Sequence, residues 1–169
     1  MNEIYGSIKR LSERIVEVCT AHGIKISTAE SCTGGMVSAA ITSVSGSSSV
    51  IELGVCSYSN RIKRDIMGVS EQTLDEFSEY STQCAEEMAK GALKLSGADF
   101  AVSTSGVAGP SGGTDTNPVG TVYISVCGKA RTVTEKHVFD DRGRDYIRAV
   151  ATEKALYMLL EIIKNYTYS

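Results

Sequence analysis

Three short polar segments carry side chains that could perform chemistry together. The first, TAESCTGG at 28–35, places Ser31 and Thr33 just before two glycines and a helix of small residues. A hydroxyl at such a corner can cap the helix, or it can help free backbone N–H groups to bind an anion. It can also act as a nucleophile, and the same N–H groups then stabilise the oxyanion that forms on the substrate carbonyl. The spacing matches neither a GxxxxGK[ST] phosphate loop nor a GxSxG elbow. The residue pattern alone leaves these three roles open.

The second segment, YSNRIK at 58–63, follows an apolar stretch and contains a candidate base. The only histidines, His22 and His137, are isolated, which gives little support to a serine–histidine–aspartate triad. A lysine can replace the histidine if desolvation lowers its pKa. Lys63 could point back towards Tyr58 at the end of the strand. It could equally be an ordinary solvated lysine, and Tyr58 a core aromatic with its hydroxyl at the surface.

The third segment, SGVAGPSGGTDTNP at 105–118, holds most of the turn-forming residues. Its glycines permit close backbone approach to a ligand, and its hydroxyls can donate to phosphate or sugar oxygens. Long connections in compact domains are usually functional, although a mobile surface loop is the plain alternative. The glycine spacing does not match GxGxxG.

The elements that must position these segments follow from apolar periodicity. Their order, α-β-α-β-α-β-β-β-α with further short helices near 61 and 70, predicts an α/β fold. We expect a single domain over 1–169: a three-layer α/β/α sandwich with a mixed, mostly parallel sheet and a C-terminal antiparallel hairpin. In such sheets, sites form at the carboxyl ends of strands, where all three segments fall. The predicted strands cover 24–28, 50–59, 98–104, 119–126 and 132–139. The first helix has apolar positions from 4 to 19 and ends at Gly23, and the other longer helices cover 36–44, 82–95 and 144–165.

Composition excludes several classes of function. The chain of 169 residues has a formal net charge of −3, and its basic residues are scattered, which argues against a nucleic-acid partner. No apolar run is long enough for a membrane span, and the N-terminus does not read as a signal peptide. The chain has five cysteines and no CxxC pair, and reduced thiols are the simplest interpretation. We expect no metal site. We therefore predict a cytoplasmic protein without a membrane partner.

Taken together, the motifs resemble the CinA C-terminal domain family, the nicotinamide-nucleotide amidases. The similarity runs over about residues 8 to 160. The marks of the family are present in order: TAESCTGG at 28–35, GSS at 46–48, YSNxxK at 58–63, GV at 68–69, SGVAGPSGGT at 105–114 and PVGTV at 118–122.

This resemblance implies an activity and roles for the first two segments. Family members hydrolyse the carboxamide of nicotinamide mononucleotide, which gives nicotinate mononucleotide and ammonia. The implied nucleophile is Ser31, with Lys63 as base and Tyr58 in the proton relay. Backbone N–H groups of Thr33, Gly34 and Gly35 would hold the oxyanion. No cofactor is implied, and the chain would be the type without a second, N-terminal domain.

The resemblance also implies a nucleotide substrate and a set of binding residues. Glu30 could orient Ser31 or the lysine, or could be a surface acid. Arg144 and Arg148 could supply charge for the phosphate, but relatives have F-x-G-D-R before this helix, whereas this chain has FDDRGR at 139–144, one residue longer. The departure puts any role for these arginines in question. The predicted substrate-binding residues are Glu30, Thr104, Ser105, Gly106, Gly109, Gly112, Gly113 and Arg144.

Three other functions remain open at this level. The chain could be a silent binding protein of the same fold, an amidohydrolase for another small carboxamide, or a phosphate sensor that uses only the glycine-rich loops. An apolar first helix and an exposed hairpin also make a homo-oligomer plausible.

Overall fold

A mixed five-stranded sheet forms the centre of the protein in a computed structural model that describes residues 1–129 and 131–167. The strand order is β2-β1-β3-β4-β5. β1 pairs in parallel with β2 and β3, whereas β4 runs antiparallel to β3 and β5. The mixed sheet and its C-terminal hairpin are therefore confirmed. The strands are β1 Ile26–Glu30, β2 Ile51–Cys56, β3 Phe100–Gly106, β4 Thr121–Gly128 and β5 Thr132–Val138.

Helices cover both faces of this sheet. α1, α2 and α6 lie on one face over the larger apolar core, and α5 lies on the other over a smaller core. This arrangement is the predicted three-layer sandwich. The described helices are α1 Asn2–His22, α2 Met36–Thr42, α3 Asn60–Asp65, α4 Glu71–Glu76, α5 Thr82–Ser96 and α6 Arg144–Thr167, with a 3₁₀ turn at Ser47–Ser49.

Burial explains which strands are central. Every residue of β1, β3 and β4 is buried, because helices cover both faces of these strands. β2 alternates between half-buried and exposed residues, and β5 is only half covered, as edge strands can be. The continuous apolar and small residues of the central strands thus reflect two covered faces.

Local signals define most helix ends. Gly23 adopts a left-handed conformation (φ 64°) and ends α1, and Gly97 (φ 68°) ends α5 in the same way. The Ser59 hydroxyl caps α3 by accepting a hydrogen bond from the Ile62 amide.

β1 begins two residues later than predicted, and it gains two residues at its other end. The Ile24 amide donates to the Cys19 carbonyl (2.9 Å) and so completes the end of α1. Lys25 contacts Asp99 through its backbone amide and carbonyl. These bonds delay the sheet pairing to Ile26, and the strand then extends to Glu30.

One edge of the sheet, which we call the site edge, collects the ends that matter for function. The carboxyl ends of β1, β2 and β3 meet there because these strands are parallel. β4 begins there because it is antiparallel to β3, with Gly106 opposite Val122. The loop before α5 and the first residue of α6 reach the same edge.

α1 packs against α6 within the larger core. Its apolar face is therefore covered inside the chain. Among the described helices, none combines the length and apolar character required to cross a bilayer.

Candidate active site

A cavity of about 110 Å³ opens at the site edge. All three polar segments contribute to its walls, together with the loop before α5 and the start of α6. The described residues that line it are Ser31, Cys32, Tyr58, Asn60, Lys63, Glu79, Tyr80, Gly106, Val107, Ala108, Gly109, Ser111 and Arg144.

Ser31 and Lys63 meet in the wall of this cavity. Lys63 Nζ lies 3.1 Å from Ser31 Oγ, and the side chain of Lys63 is only 1% exposed. The Ser31 amide donates to the carbonyl of Thr104 in β3 (2.9 Å), which fixes the start of the corner. α3 turns Lys63 back over the end of β2, where Nζ also donates to the carbonyl oxygen of Tyr58 (3.3 Å). The two groups are thus held in direct contact.

The environment of Lys63 favours its neutral amine. Burial lowers the pKa of Lys63 from the ordinary value of 10.5, because the charged form is poorly solvated there. Cys84, Glu79 and Cys32 act in the opposite direction. Burial raises the pKa values of Cys32 and Cys84 to about 12, so both thiols are neutral at physiological pH. Glu79 is therefore the anion among these neighbours.

Tyr58 lines the cavity and contacts Arg144 rather than Ser31 or the Lys63 amine through its hydroxyl. Its side chain is 59% exposed, and its hydroxyl accepts a hydrogen bond from Arg144 Nη2 (2.9 Å). Lys63 contacts the backbone carbonyl of Tyr58 rather than the hydroxyl. Lys63 thus reaches Ser31 without Tyr58, and the relay role of Tyr58 stays a prediction.

Glu30 is neither a surface acid nor a partner of Ser31 or Lys63. Its carboxylate is buried beside the start of α2 and accepts hydrogen bonds from five groups there. The negative charge complements the helix N-terminus. Glu30 thus holds the corner in shape, and the predicted binding role is corrected. The donors are the amides of Gly35, Val37 and Ser38 and the hydroxyls of Thr33 and Ser38.

The corner commits two of the three predicted oxyanion donors to internal contacts. The Gly34 amide donates to the Ser31 carbonyl (3.1 Å), and the Gly35 amide donates to Glu30 (3.0 Å). Arg148 holds the same corner from α6 by donating to the carbonyls of Cys32 (3.2 Å) and Thr33 (3.0 Å). Gly34 and Gly35 are corrected to structural positions, and Arg148 supports the corner.

The hydroxyls at the end of β3 also point into the protein. Thr104 Oγ1 lies 2.7 Å from Thr33 Oγ1, and Ser105 Oγ donates to the Glu79 carbonyl (2.6 Å). Both side chains are fully buried and lie outside the cavity walls. Their predicted role as substrate ligands is corrected to one of fixing neighbouring loops.

The glycines of the third segment divide into two groups. Gly106 and Gly109 line the cavity, where they allow close backbone approach. A Cβ at Gly106 would lie 2.3 Å from the Thr121 carbonyl oxygen, so the position requires glycine. Gly112 and Gly113 are exposed and lie outside the described cavity walls. A binding role for these two glycines therefore stays a prediction.

Arg144 does reach the cavity, despite the longer segment that precedes it. It is the first residue of α6, and its Nη1 donates to the Gly109 carbonyl (2.9 Å) while Nη2 donates to the Tyr58 hydroxyl. A guanidinium carries five N–H donors, so further donors remain for an anion. Arg144 is well placed for a phosphate at the mouth.

Seven of the described cavity residues were not predicted as site residues: Cys32, Asn60, Glu79, Tyr80, Val107, Ala108 and Ser111. Glu79 and Tyr80 precede α5, whose C-terminus leads into β3. A helix that crosses over between parallel strands begins at the carboxyl edge of the sheet, so its N-terminal loop reaches the site. That topological signal could have identified both residues.

A larger cavity, of about 340 Å³, lies at the opposite edge of the sheet near Phe100 and Tyr166. Its charged walls include Asp99 and Lys129, which pair with each other at 3.4 Å. No serine or cysteine is found among the described residues that line it. The smaller cavity with the buried serine–lysine pair is therefore the candidate active site.

The fold and the site define an α/β/α sandwich with a buried serine–lysine pair at the edge where parallel strands end. The chain matches the CinA C-terminal domain over residues 8–163 and belongs to that family. A solved structure from Agrobacterium tumefaciens, described as the competence/damage inducible protein CihA, superposes with a TM-score of 0.90 at 41% identity. The match covers 92% of this chain and 94% of that chain.

Curated relatives are of two lengths. The Nicotinamide-nucleotide amidohydrolase PncC of Enterobacter agglomerans is 44% identical over 94% of this chain and 99% of its own length. The Putative competence-damage inducible protein of Caldicellulosiruptor saccharolyticus is 46% identical over 96% of this chain. This chain spans only 40% of that longer relative.

Proposed function

We propose that this protein is an amidohydrolase that converts nicotinamide mononucleotide to nicotinate mononucleotide and ammonia, with Ser31 as nucleophile and Lys63 as base. The observation that carries the proposal is the 3.1 Å contact between Ser31 Oγ and a buried Lys63 amine in the wall of a cavity. The name of the Enterobacter agglomerans relative, a nicotinamide-nucleotide amidohydrolase, supports the choice of substrate.

The first half of the reaction forms an ester on the serine. Neutral Lys63 accepts the Ser31 hydroxyl proton as Oγ bonds to the carboxamide carbon, and the carbonyl electron pair moves to oxygen. The resulting ammonium then gives its proton to the amide nitrogen. The carbon–nitrogen bond breaks, the carbonyl re-forms and ammonia leaves. Of the three amides predicted for the oxyanion, only that of Thr33 is not committed to the Ser31 carbonyl or to Glu30, and its role stays a prediction.

The second half reverses the proton path. Lys63 accepts a proton from water as the water oxygen attacks the ester carbon. The ester bond to Oγ breaks, Oγ recovers a proton from the lysine, and nicotinate mononucleotide is formed as the carboxylic acid, which loses its proton to solvent and leaves as the carboxylate. The scheme uses one side chain for both proton transfers, as microscopic reversibility allows.

The remainder of the substrate extends towards the mouth of the cavity. The Arg144 guanidinium and the backbone at Gly106 and Gly109 are the groups proposed for the ribose and phosphate. Arg144 supplies positive charge and several donors in a fixed plane, which suits a phosphate. A cytoplasmic location and self-association remain predictions from the sequence.

The test is ammonia release from nicotinamide mononucleotide by wild type, Ser31→Ala and Lys63→Met. Loss of the base should lower kcat by about 10²–10⁴, and loss of the nucleophile by at least as much. Both variants should still bind the nucleotide. Matched controls are Ser45→Ala and Lys94→Met, which change exposed residues outside the cavity.

Three outcomes would point elsewhere. A wild-type protein that binds the nucleotide without releasing ammonia would be a silent binding protein. A protein inactive on this substrate but active on another small carboxamide would be a different amidohydrolase. A Lys63→Met variant as fast as wild type would remove the lysine from the mechanism.

A further inference from the structure

The carboxylate of Glu79 is a charged group in the cavity wall for which the described part of the fold provides no hydrogen-bond partner. Within 1–129 and 131–167, the Glu79 carboxylate makes no hydrogen bond or ion pair, although it lines the cavity. The other two charged residues of the wall are engaged. Lys63 contacts Ser31 and the Tyr58 carbonyl, and Arg144 contacts the Gly109 carbonyl and the Tyr58 hydroxyl. Among the described residues of the wall, Glu79 is therefore the charged residue whose side chain is left without a hydrogen-bond partner, whereas the Arg144 guanidinium is held by two neutral acceptors.

The backbone holds this carboxylate in place. The Glu79 carbonyl accepts a hydrogen bond from Ser105 Oγ in β3 (2.6 Å), and the Tyr80 carbonyl accepts one from Asn117 Nδ2 (3.0 Å). Ser81 follows directly and caps α5 through the Cys84 amide (3.1 Å). Glu79 is thus anchored to the sheet, the long loop and a helix, rather than carried on a free surface turn.

The negative charge of Glu79 also affects Lys63, the proposed base. Glu79 opposes the effect of burial on Lys63, since a nearby anion favours the protonated amine. An unpaired acid beside a base that must be neutral is a disadvantage in an empty site. The disadvantage disappears when a cation occupies the space between the two groups.

We propose that Glu79 is the counter-ion for a positively charged aromatic ring and selects cationic carboxamides over uncharged ones. The inference rests on the proposed function, because a nicotinamide nucleotide carries a fixed positive charge on its ring nitrogen. Its carboxamide carbon must reach Ser31 Oγ, which places the ring in a cavity of about 110 Å³ that Glu79 lines. The charged ring then offsets the influence of Glu79 on Lys63 as it binds.

The experiment measures binding in a background that cannot turn over. Ser31→Ala and Ser31→Ala/Glu79→Gln are titrated with nicotinamide mononucleotide and with its 1,4-dihydro form, which keeps the carboxamide, ribose and phosphate but has an uncharged ring. Loss of the carboxylate should weaken binding of the cationic form by about tenfold to a hundredfold. Binding of the dihydro form should change by less than about twofold, since no charge is lost there.

The matched control is Ser31→Ala/Glu76→Gln, which removes an exposed carboxylate of α4 outside the cavity and should alter neither affinity. Equal weakening for both ligands, or no weakening for the cationic one, would overturn the role of Glu79. The proposed function is judged separately by ammonia release from wild type. If wild type releases ammonia but Glu79→Gln leaves the preference for the cationic ligand unchanged, only the role of Glu79 is contradicted. If binding depends on the charge of the ring but no ammonia is released, only the hydrolytic scheme is contradicted.

A second readout uses the single variant Glu79→Gln in turnover. Lys63 is faced by Glu79, by Cys84 of α5 and by Cys32, and only the first of these is an anion near neutral pH. Removing it should move the acid limb of kcat/KM to lower pH, because the neutral amine is then easier to form. An acid limb that stays in place or moves to higher pH would contradict the proposal.

Discussion

Glu30 and Glu79 lie at the same edge of the sheet and have opposite surroundings. Glu30 is 1% exposed and accepts hydrogen bonds from three amides and two hydroxyls. Glu79 lines a cavity and makes no hydrogen bond or ion pair within the part of the chain that the structure describes. The first carboxylate is saturated and builds the corner, whereas the second is available to a ligand. The two acids therefore differ both in burial and in the number of hydrogen bonds that their carboxylates already accept, and the second difference shows which of them can still bind a ligand.

The same contrast separates the hydroxyls. Thr33, Thr104 and Ser105 donate to groups inside the protein and lie outside the cavity walls. Ser31 faces the cavity and meets a lysine whose pKa is lowered by burial. The polar groups of one small region thus divide into a support, whose hydrogen bonds are made within the protein, and a serine–lysine pair that faces the cavity.

The largest expected effect comes from Lys63→Arg, which keeps a positive charge but fixes it. A guanidinium stays protonated at all working pH values, so it cannot accept the Ser31 proton. We expect kcat for ammonia release to fall about 10²–10⁴-fold at every pH tested. In wild type the same assay should show activity that rises with pH to a plateau, with a midpoint below 10.5, because only the neutral amine is active. An arginine variant that retains the wild-type rate and pH profile would show that the lysine serves only as a charge.

The next largest effect concerns stability and compares Glu30→Gln with Glu79→Gln. An amide at position 30 turns one acceptor into a donor that faces other donors, so we expect a loss of about 2–4 kcal/mol in the free energy of unfolding. At position 79 no hydrogen bond is lost, and the change should stay within about 0.5 kcal/mol. Urea denaturation of both variants checks the pair. Equal losses in the free energy of unfolding for the two variants would show that Glu30 and Glu79 do not differ in their structural roles.

The smallest effect is the coupling between Thr33 and Thr104. Their hydroxyl oxygens lie 2.7 Å apart, and the Thr33 hydroxyl also donates a hydrogen bond to the Glu30 carboxylate. A double-mutant cycle with Thr33→Val and Thr104→Val should give a coupling free energy of about 1 kcal/mol. Strictly additive losses in the unfolding measurements would mean that the two threonines act independently.

The sequence predicts the elements well because each central strand and its neighbouring helix carry their own periodicity. The apolar spacing of α1 and the glycine that ends it are local features, as is the serine cap of α5. The convergence of Ser31 and Lys63 also follows from topology, because both lie where parallel strands end. The role of Lys63 as a base, however, came from resemblance to a family, since spacing cannot show whether a lysine is buried.

The errors share one physical cause. A polar residue near a site can bind substrate, or it can make hydrogen bonds with neighbouring residues. Which of these partners it meets is determined only when the chain folds. Glu30 meets amides as far along as Ser38, and Ser105 meets the Glu79 carbonyl 26 residues away. Neither contact is written in the local pattern. Glu79 was missed because it precedes a helix rather than following a strand.

The most direct test of the central claim is mass spectrometry of the protein quenched with acid during turnover of nicotinamide mononucleotide. The account predicts a nicotinate nucleotide ester on Ser31, located by fragmentation of the peptide spanning 26–61 and missing from Ser31→Ala. An acyl group on Cys32 instead, or steady ammonia release without any adduct on Ser31 under conditions where the ester is stable, would contradict it.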